Sequence, residues 1–367
     1  MKIALIHDHL AQDGGAEKVL KSFSEVWPEA PIYVWLYDKD KANKFFESRE
    51  IRPSFIQKMP FAKRMYKRYL PFLPSATESY DLSAFDVVLS DTASLGKGVI
   101  TGPNTLHICY CHTPTRYLWS DKDVIIDKWE KAKIIGSISR LYKTYLRVWD
   151  RMSVERVDKF IANSNFIKER IKKYYKRDAD VLYPPLETKK FKVTSPEDYF
   201  LIGGRLVNYK RYDLAVKAFN RIGTKLKVFG DGPAMKELQA MAGDNIEFLG
   251  RVTDEQMCEL YSKAKAFLHP QVEDFGITPL ESQASGRPVI AYKAGGALET
   301  VKAGETGEFF EHQEWEALAE TIIKFKPEKY NPQEMRAWAE TFDEELFKQK
   351  IRTYVEEAYD DFKNNKN

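Results

Sequence analysis

Apolar and polar positions alternate in two successive blocks along this chain of 367 residues. In the first block, short continuous apolar runs at 2–7, 32–36, 87–90, 106–110 and 159–163 are separated by stretches of helical spacing. Runs apolar on both faces predict strands of a parallel sheet covered by helices on each side. A long basic helical pattern over 138–157 separates the last two. The pattern restarts near 198, with strands predicted at 199–203, 225–229, 246–249, 266–269, 288–292 and 308–310. Helices are predicted between them at 211–221, 233–242, 253–263, 279–285 and 297–302, and two amphipathic helices over 330–363. Tyr183-Pro184-Pro185-Leu186 interrupts regular structure between the blocks. The expected fold is α/β: two doubly wound, Rossmann-like domains, 1–184 and 185–340, followed by a C-terminal helical segment, 341–367, packing back on the first. The strand C-termini of both sheets are expected to face a cleft, where doubly wound folds bind ligands.

Composition narrows the class. With 43% hydrophobic and 30% charged residues the chain is globular. No apolar run approaches the eighteen residues of a membrane span, and Met1-Lys2-Ile3-Ala4-Leu5 enters a strand without a signal peptide. Cys109, Cys111 and Cys258 have no metal-binding spacing, so a reducing, cytoplasmic setting is expected. Net charge is +3, divided as +8 over residues 1–185 and −5 over 186–367. That asymmetry suggests two surfaces with different partners, and the basic excess is too mild for nucleic acid.

Glu273-Asp274-Phe275-Gly276-Ile277-Thr278-Pro279-Leu280-Glu281 carries the most chemistry. Thr278, Pro279 and Glu281 fit N-cap, N1 and N3 of a capping box, which places Glu273 in a loop and Glu281 in the first helical turn. Backbone N–H groups between them offer an anion site suited to a nucleotide sugar. The plainer reading is a helix cap beside an ordinary loop acid. Gly14 and Gly15, in Asp13-Gly14-Gly15-Ala16-Glu17, open a helix after the first strand and let backbone approach a phosphate; a plain βα turn explains them equally. Arg205 and Lys210 share one loop after the first strand of the second block, where paired positive charge suits a diphosphate leaving group or simply water. Gly230-Asp231-Gly232-Pro233 reads as a structural turn and helix start. His112, in Cys111-His112-Thr113-Pro114-Thr115-Arg116-Tyr117-Leu118-Trp119, falls at a strand's C-terminal end, as a sugar-facing group or a structural histidine.

The basic, aromatic segment 61–72, Phe61-Ala62-Lys63-Arg64-Met65-Tyr66-Lys67-Arg68-Tyr69-Leu70-Pro71-Phe72, lies in a stretch with six Lys/Arg and no acid between Glu50 and Glu78. It suits contact with anionic lipid at an inner membrane face, or a solvated helix with buried aromatics. Asp38-Lys39-Asp40, Asp121-Lys122-Asp123 and His7-Asp8-His9 lack the context of a metal site, so no metal and no cofactor are expected.

Together these pieces resemble the retaining glycosyltransferases of the GT-B fold, family 4, over nearly the whole chain. Glu273 to Glu281 is an E-x7-E element; Gly14-Gly15, Gly204-Arg205 with Lys210, Gly230-Asp231-Gly232 and Gly295-Gly296 with Glu299 follow the family's order. The 111–119 motif and Phe160-Ile161-Ala162-Asn163-Ser164 look like the WbaZ-like group, similar to mannosyltransferases of O-antigen assembly that use GDP-mannose. The resemblance implies that Glu281 holds the donor ribose, Glu273 the donor sugar, and the N–H groups of Phe275, Gly276 and Ile277 sugar hydroxyls and phosphate. It further implies that Arg205 and Lys210 clamp the diphosphate, Gly15 approaches it, His112 lies beside the transferred sugar and Val252 packs on the base. The expected partners are a nucleotide sugar and a glycan or lipid-linked acceptor, in surface polysaccharide synthesis. A nucleotide-sugar epimerase of the same fold and a non-catalytic GT-B scaffold are the rival readings. His269-Pro270-Gln271 departs from the family, which often has Ser at the last position.

Overall fold

The computed structural model describes residues 1–120 and 133–365. Asp121-Lys122-Asp123 lies outside them. Two compact units emerge: Met1–Pro185 with Phe347–Asn367, and Leu186–Leu346.

The first unit holds seven parallel strands: β1 Ile3–His7, β2 Ile32–Val34, β3 Ile51–Pro53, β4 Val87–Thr92, β5 Leu106–Cys111, β6 Lys159–Ala162 and β7 Asp180–Val181, in the order β3-β2-β1-β4-β5-β6-β7. The order in which the chain adds strands reverses between β1 and β4, the switch point at which such sheets bind ligands. Strands β1, β4 and β5 are buried along their whole length. Their continuous apolar runs have this cause, since helices cover both faces. Helix Gly15–Val26 lays Val19, Leu20 and Phe23 on one face. The C-terminal helix Glu344–Asn364 adds Phe347, Ile351 and Val355 to the same core, with Phe347 stacked on Phe23 at 5.8 Å. At about 2 kcal/mol per fully buried side chain these three contribute roughly 6 kcal/mol. That anchors the end of the chain to the first sheet.

The second unit holds six parallel strands: β8 Phe200–Gly203, β9 Leu226–Phe229, β10 Ile246–Gly250, β11 Phe267–His269, β12 Val289–Tyr292 and β13 Gly307–Phe310, ordered β10-β9-β8-β11-β12-β13. Its switch point lies between β8 and β11. Helix Tyr212–Ile222 ends at Gly223 (φ 79°), and its apolar face packs with helix Trp315–Lys324, which the spacing did not predict. Two strands of the first sheet also went unpredicted. β3 is an edge strand containing Arg52 and Pro53, and β7 has two residues on the opposite edge, so neither carries a buried apolar run.

Candidate functional site

At the second switch point, β8 runs into Gly203-Gly204 and β11 into His269-Pro270. Gly204 takes φ 121°, and a side chain on Gly230 (φ 107°) would fall 1.9 Å from the Gly204 carbonyl. These glycines are therefore fixed by the close approach of two loops. Beyond them Lys210 Nζ lies 3.1 Å from Glu273 Oε1, both largely covered. The structure thus joins the diphosphate and sugar candidates in one ion pair.

Helix Ile277–Ala284 begins earlier than the capping-box reading had it. Gly276 (φ 90°) is the N-cap, no side chain caps the turn, and Pro279 is the third helical residue. The first four N–H groups of a helix have no internal partner, so proline is tolerated there. Glu281 accordingly lies in the second turn, 3% exposed, where Oε2 accepts a hydrogen bond from the Tyr261 hydroxyl at 3.1 Å. Gly295 and Gly296 support the loop from behind. A side chain on Gly296 would lie 2.4 Å from Phe275 Cα, and Gly296 N–H donates to the Glu273 carbonyl at 2.9 Å.

His269 was not among the sequence candidates. It is fully buried, and burial pulls its imidazole down to about 4, with Lys210 adding to the effect and Glu273 opposing it. The Gln271 amide donates to Nδ1 at 3.2 Å, which explains why glutamine occupies the position where a serine was expected. Nε2 has no hydrogen-bond partner among the described residues and lies 3.5 Å from where a side chain on Gly276 would begin. Arg205 is exposed on the loop before Lys210. Val252 lines a pocket with Tyr199, Lys227, Leu249 and Gln256.

In the first unit the strand ends of β1, β4 and β5 carry His7, Asp91 and, one residue on, His112. His7 and Asp91 are register partners across β1 and β4. His112 Nε2 lies 2.5 Å from Asp91 Oδ1, and His7 Nδ1 lies 2.9 Å from Asp91 Oδ2. On its other side His7 Nε2 is 3.7 Å from Glu17 Oε1, in the first turn of Gly15–Val26. Three of the four are essentially buried and His112 is 12% exposed. Burial alone would neutralise His7, but hydrogen bonds and charge from Asp91 and Glu17 hold it protonated, well above its ordinary value. Burial pushes both carboxyls up, yet their histidine partners outweigh it and leave Asp91 and Glu17 below their usual range. Sequence reasoning missed His7, Asp91 and Glu17 as a group, although polar residues ending three neighbouring apolar strands were a signal. Gly14 is the N-cap, and a side chain on Gly15 would meet nothing within 4 Å.

The rest of the 111–119 motif has a structural task. Asp150 Oδ1 accepts from Lys97 Nζ at 2.5 Å and Thr115 Oγ1 at 2.9 Å; its Oδ2 accepts from Trp119 Nε1 at 2.7 Å and the Tyr175 hydroxyl at 3.1 Å. This buried network ties the His112 loop to helix Lys133–Ser153. Asp8, in His7-Asp8-His9, receives Thr92, Ala93 and Gly96 in a tight loop, and Asp38 pairs with Lys41 and Lys63. Among the described residues no group of three His, Cys, Asp or Glu is placed to hold a metal, and no helix is long and apolar enough to cross a membrane.

Two doubly wound parallel sheets, each with its polar cluster at the switch point, define a two-domain Rossmann-like architecture of the GT-B kind. The chain carries two glycosyltransferase domains: residues 13–190 match Glycosyltransferase Family 4, and residues 185–342 match Glycosyl transferases group 1. It is similar to the alpha-1,3/1,6-mannosyltransferase ALG2 of Dictyostelium discoideum, 25% identical over 61% of this chain and 63% of that protein. The Saccharomyces cerevisiae ALG2 is 27% identical over 54% of this chain and 48% of its own length. The matches thus cover less than two thirds of these relatives. A GDP-mannose-dependent alpha-mannosyltransferase of Corynebacterium glutamicum is 35% identical over 28% of this chain and 25% of its own. The fold matches HepE of Anabaena, solved with UDP and glucose, at TM-score 0.73 and 19% identity, covering 97% of this chain and 99% of that one. It also matches a sucrose-phosphate synthase of Thermosynechococcus elongatus at TM-score 0.75 and 16% identity, covering 98% and 99%.

Proposed function

We propose that the protein is a retaining glycosyltransferase, resembling the WbaZ-like group, that moves mannose from GDP-mannose to a glycan or lipid-linked oligosaccharide in surface polysaccharide synthesis. The observation that carries this reading is the Lys210–Glu273 pair beside the Gly276 helix start, with Glu281 on the same helix. The similarity to named mannosyltransferases supports the choice of sugar.

In this reading Glu281 takes the ribose hydroxyls, Glu273 the sugar hydroxyls, and the N–H groups of Phe275, Gly276 and Ile277 sugar and phosphate. Lys210 and Arg205 neutralise the charge that grows on the diphosphate as the glycosidic bond breaks. Gly15 lets backbone approach a phosphate, and the open space at its α-carbon supports that role. His112 stands beside the transferred sugar; with Nε2 donating to Asp91, Nδ1 is the nitrogen that meets substrate. Val252 packs on the base. The acceptor hydroxyl attacks on the face from which the diphosphate departs, and a departing phosphate oxygen takes its proton. No carboxylate serves as covalent nucleophile, unlike the retaining hydrolases; a trapped glycosyl-enzyme adduct would overturn this. No metal or cofactor is required. The enzyme works in the cytoplasm at the inner membrane face, with 61–72 on the lipid side.

Thermal shift against GDP, UDP and ADP tests the reading. Stabilisation by GDP alone, lost in Glu281→Gln, supports it; preference for UDP or ADP overturns the mannosyl assignment, and no response overturns the donor site.

A further inference from the structure

Helix Lys133–Ser153 is the element that fixes the His112 loop, and among the described residues one of its faces is exposed. Leu146, Asp150 and Ser153 are buried, and Tyr142 and Trp149 join them against the segment around Tyr69 and Leu70. Turned away from that contact are Leu141 (75% exposed), Tyr145 (53%), Val148 (58%) and Met152 (61%). Their spacing of four, three and four residues places them in one stripe along three turns of helix. Single exposed apolar residues need no explanation, but four in a row are an interaction surface.

We propose that this stripe is a membrane-docking face that lies on an anionic lipid bilayer, together with the aromatic, basic segment packed against the same helix. Three observations select lipid. The sequence from Lys133 to Trp149 contains four Lys/Arg and no acid; Lys143, Arg147 and Arg151 follow one another along the helix, Arg147 donating to the Leu118 carbonyl and Arg151 pairing with Glu155 at 2.6 Å. The neighbouring segment repeats that chemistry: Phe61 and Phe72 are 75% and 47% exposed, among exposed Lys63, Arg64 and Arg68. The Tyr142 hydroxyl donates to the Leu70 carbonyl at 3.0 Å, so the segment is held against this helix. Apolar side chains entering the acyl boundary, cationic ones at headgroup level and a tyrosine between them are what an in-plane interfacial helix requires. A second copy of the chain is the disfavoured occupant, because an isologous contact would set the exposed Lys63, Arg64 and Arg68 of one copy against those of the other.

The face deepens the membrane part of the function proposed above and involves none of the donor-site residues. The test is co-sedimentation of the full chain with vesicles of phosphatidylcholine alone and with added phosphatidylglycerol. Binding is expected only with phosphatidylglycerol. Leu141→Asp with Val148→Asp is expected to weaken it by about tenfold or more, and Arg64→Glu with Arg68→Glu to weaken it with a shallower salt dependence. All four positions are exposed, and unchanged melting curves identify folded variants; Leu141→Ala with Val148→Ala serves if the aspartates unfold the unit. The GDP thermal shift should be the same in every variant, so failure of the membrane face and failure of the donor reading are separable. Wild-type protein that ignores anionic vesicles, stripe variants that bind them as wild type does, or a concentration-dependent dimer that the stripe variants abolish would each overturn the proposal.

Discussion

His112 Nε2, one residue past the end of β5, rests 2.5 Å from Asp91 Oδ1 on the neighbouring parallel strand β4. Asp91 is fully buried and shares its second oxygen with His7, so one carboxylate orients two imidazoles. Asp91→Asn keeps the shape but removes the charge that opposes His7. The expected result is about 3 kcal/mol of lost stability, because a buried charge loses its partner. His112→Ala leaves Asp91 paired with His7 and should cost less, about 1–2 kcal/mol, and in the proposed role lower the transfer rate about a hundredfold. Urea unfolding and single-turnover assays check the pair; equal stability losses would deny Asp91 its central place.

Glu281 has a partner that alters how it must be tested. Truncation to alanine removes the acceptor of the buried Tyr261 hydroxyl, at a cost of about 1–3 kcal/mol. Glu281→Gln retains an acceptor and should leave the melting temperature within a few degrees of wild type while losing nucleotide stabilisation. Tyr261→Phe should do the reverse, lowering stability slightly and keeping the nucleotide shift.

Buried histidines make stability depend on pH. His107 accepts from Ser90 and donates to the Arg156 carbonyl, and its burial lowers it from 6.5 to about 4; His269 is lowered equally. Both are neutral in the fold, so the unfolded chain takes up protons first on acidification. Their stability contribution is complete above 6.5, falls as pH drops from there, and is gone by about 4. The loss is about 3 kcal/mol for each. His7, raised in the fold, behaves oppositely: its contribution is full below 6.5 and disappears as pH rises through its folded value. Urea midpoints between pH 7 and 4.5 should therefore fall in both units, and His107→Asn should flatten the response of the first alone.

The strands were legible because parallel strands covered on both faces have to be apolar throughout: all six of the second sheet and five of the first lie within a residue or two of the spacing's prediction. Ile51–Pro53 and Asp180–Val181 were hidden because these two edge strands are two or three residues long and carry no apolar run. Lys210, Glu273 and Glu281 could be named from sequence, but the Lys210–Glu273 pair and the Tyr261 bond join residues far apart in the chain. The Lys97–Asp150 network was invisible for the same reason: nothing local marks Asp150 as the acceptor of a lysine 53 positions away. Lys97→Met should strand that carboxylate in the core and cost about 3–5 kcal/mol, read as an early melt of the first unit.

Two glycines separate packing from ligand approach. Gly296 touches Phe275 so closely that an added methyl lies 2.2 Å from its carbonyl oxygen, while Gly15 has nothing within 4 Å. Gly296→Ala must displace the Glu273 loop, with an expected loss of about 2 kcal/mol or more and weakened nucleotide binding. Gly15→Ala lies at the first helical position, where alanine is well accepted, so stability should hold or rise slightly. If a donor phosphate approaches that backbone, the same methyl should cut transfer activity at least about tenfold in an otherwise intact protein. Full activity in Gly15→Ala would show that the glycine pair only turns the chain into its helix, and would withdraw the first unit's backbone from the donor site.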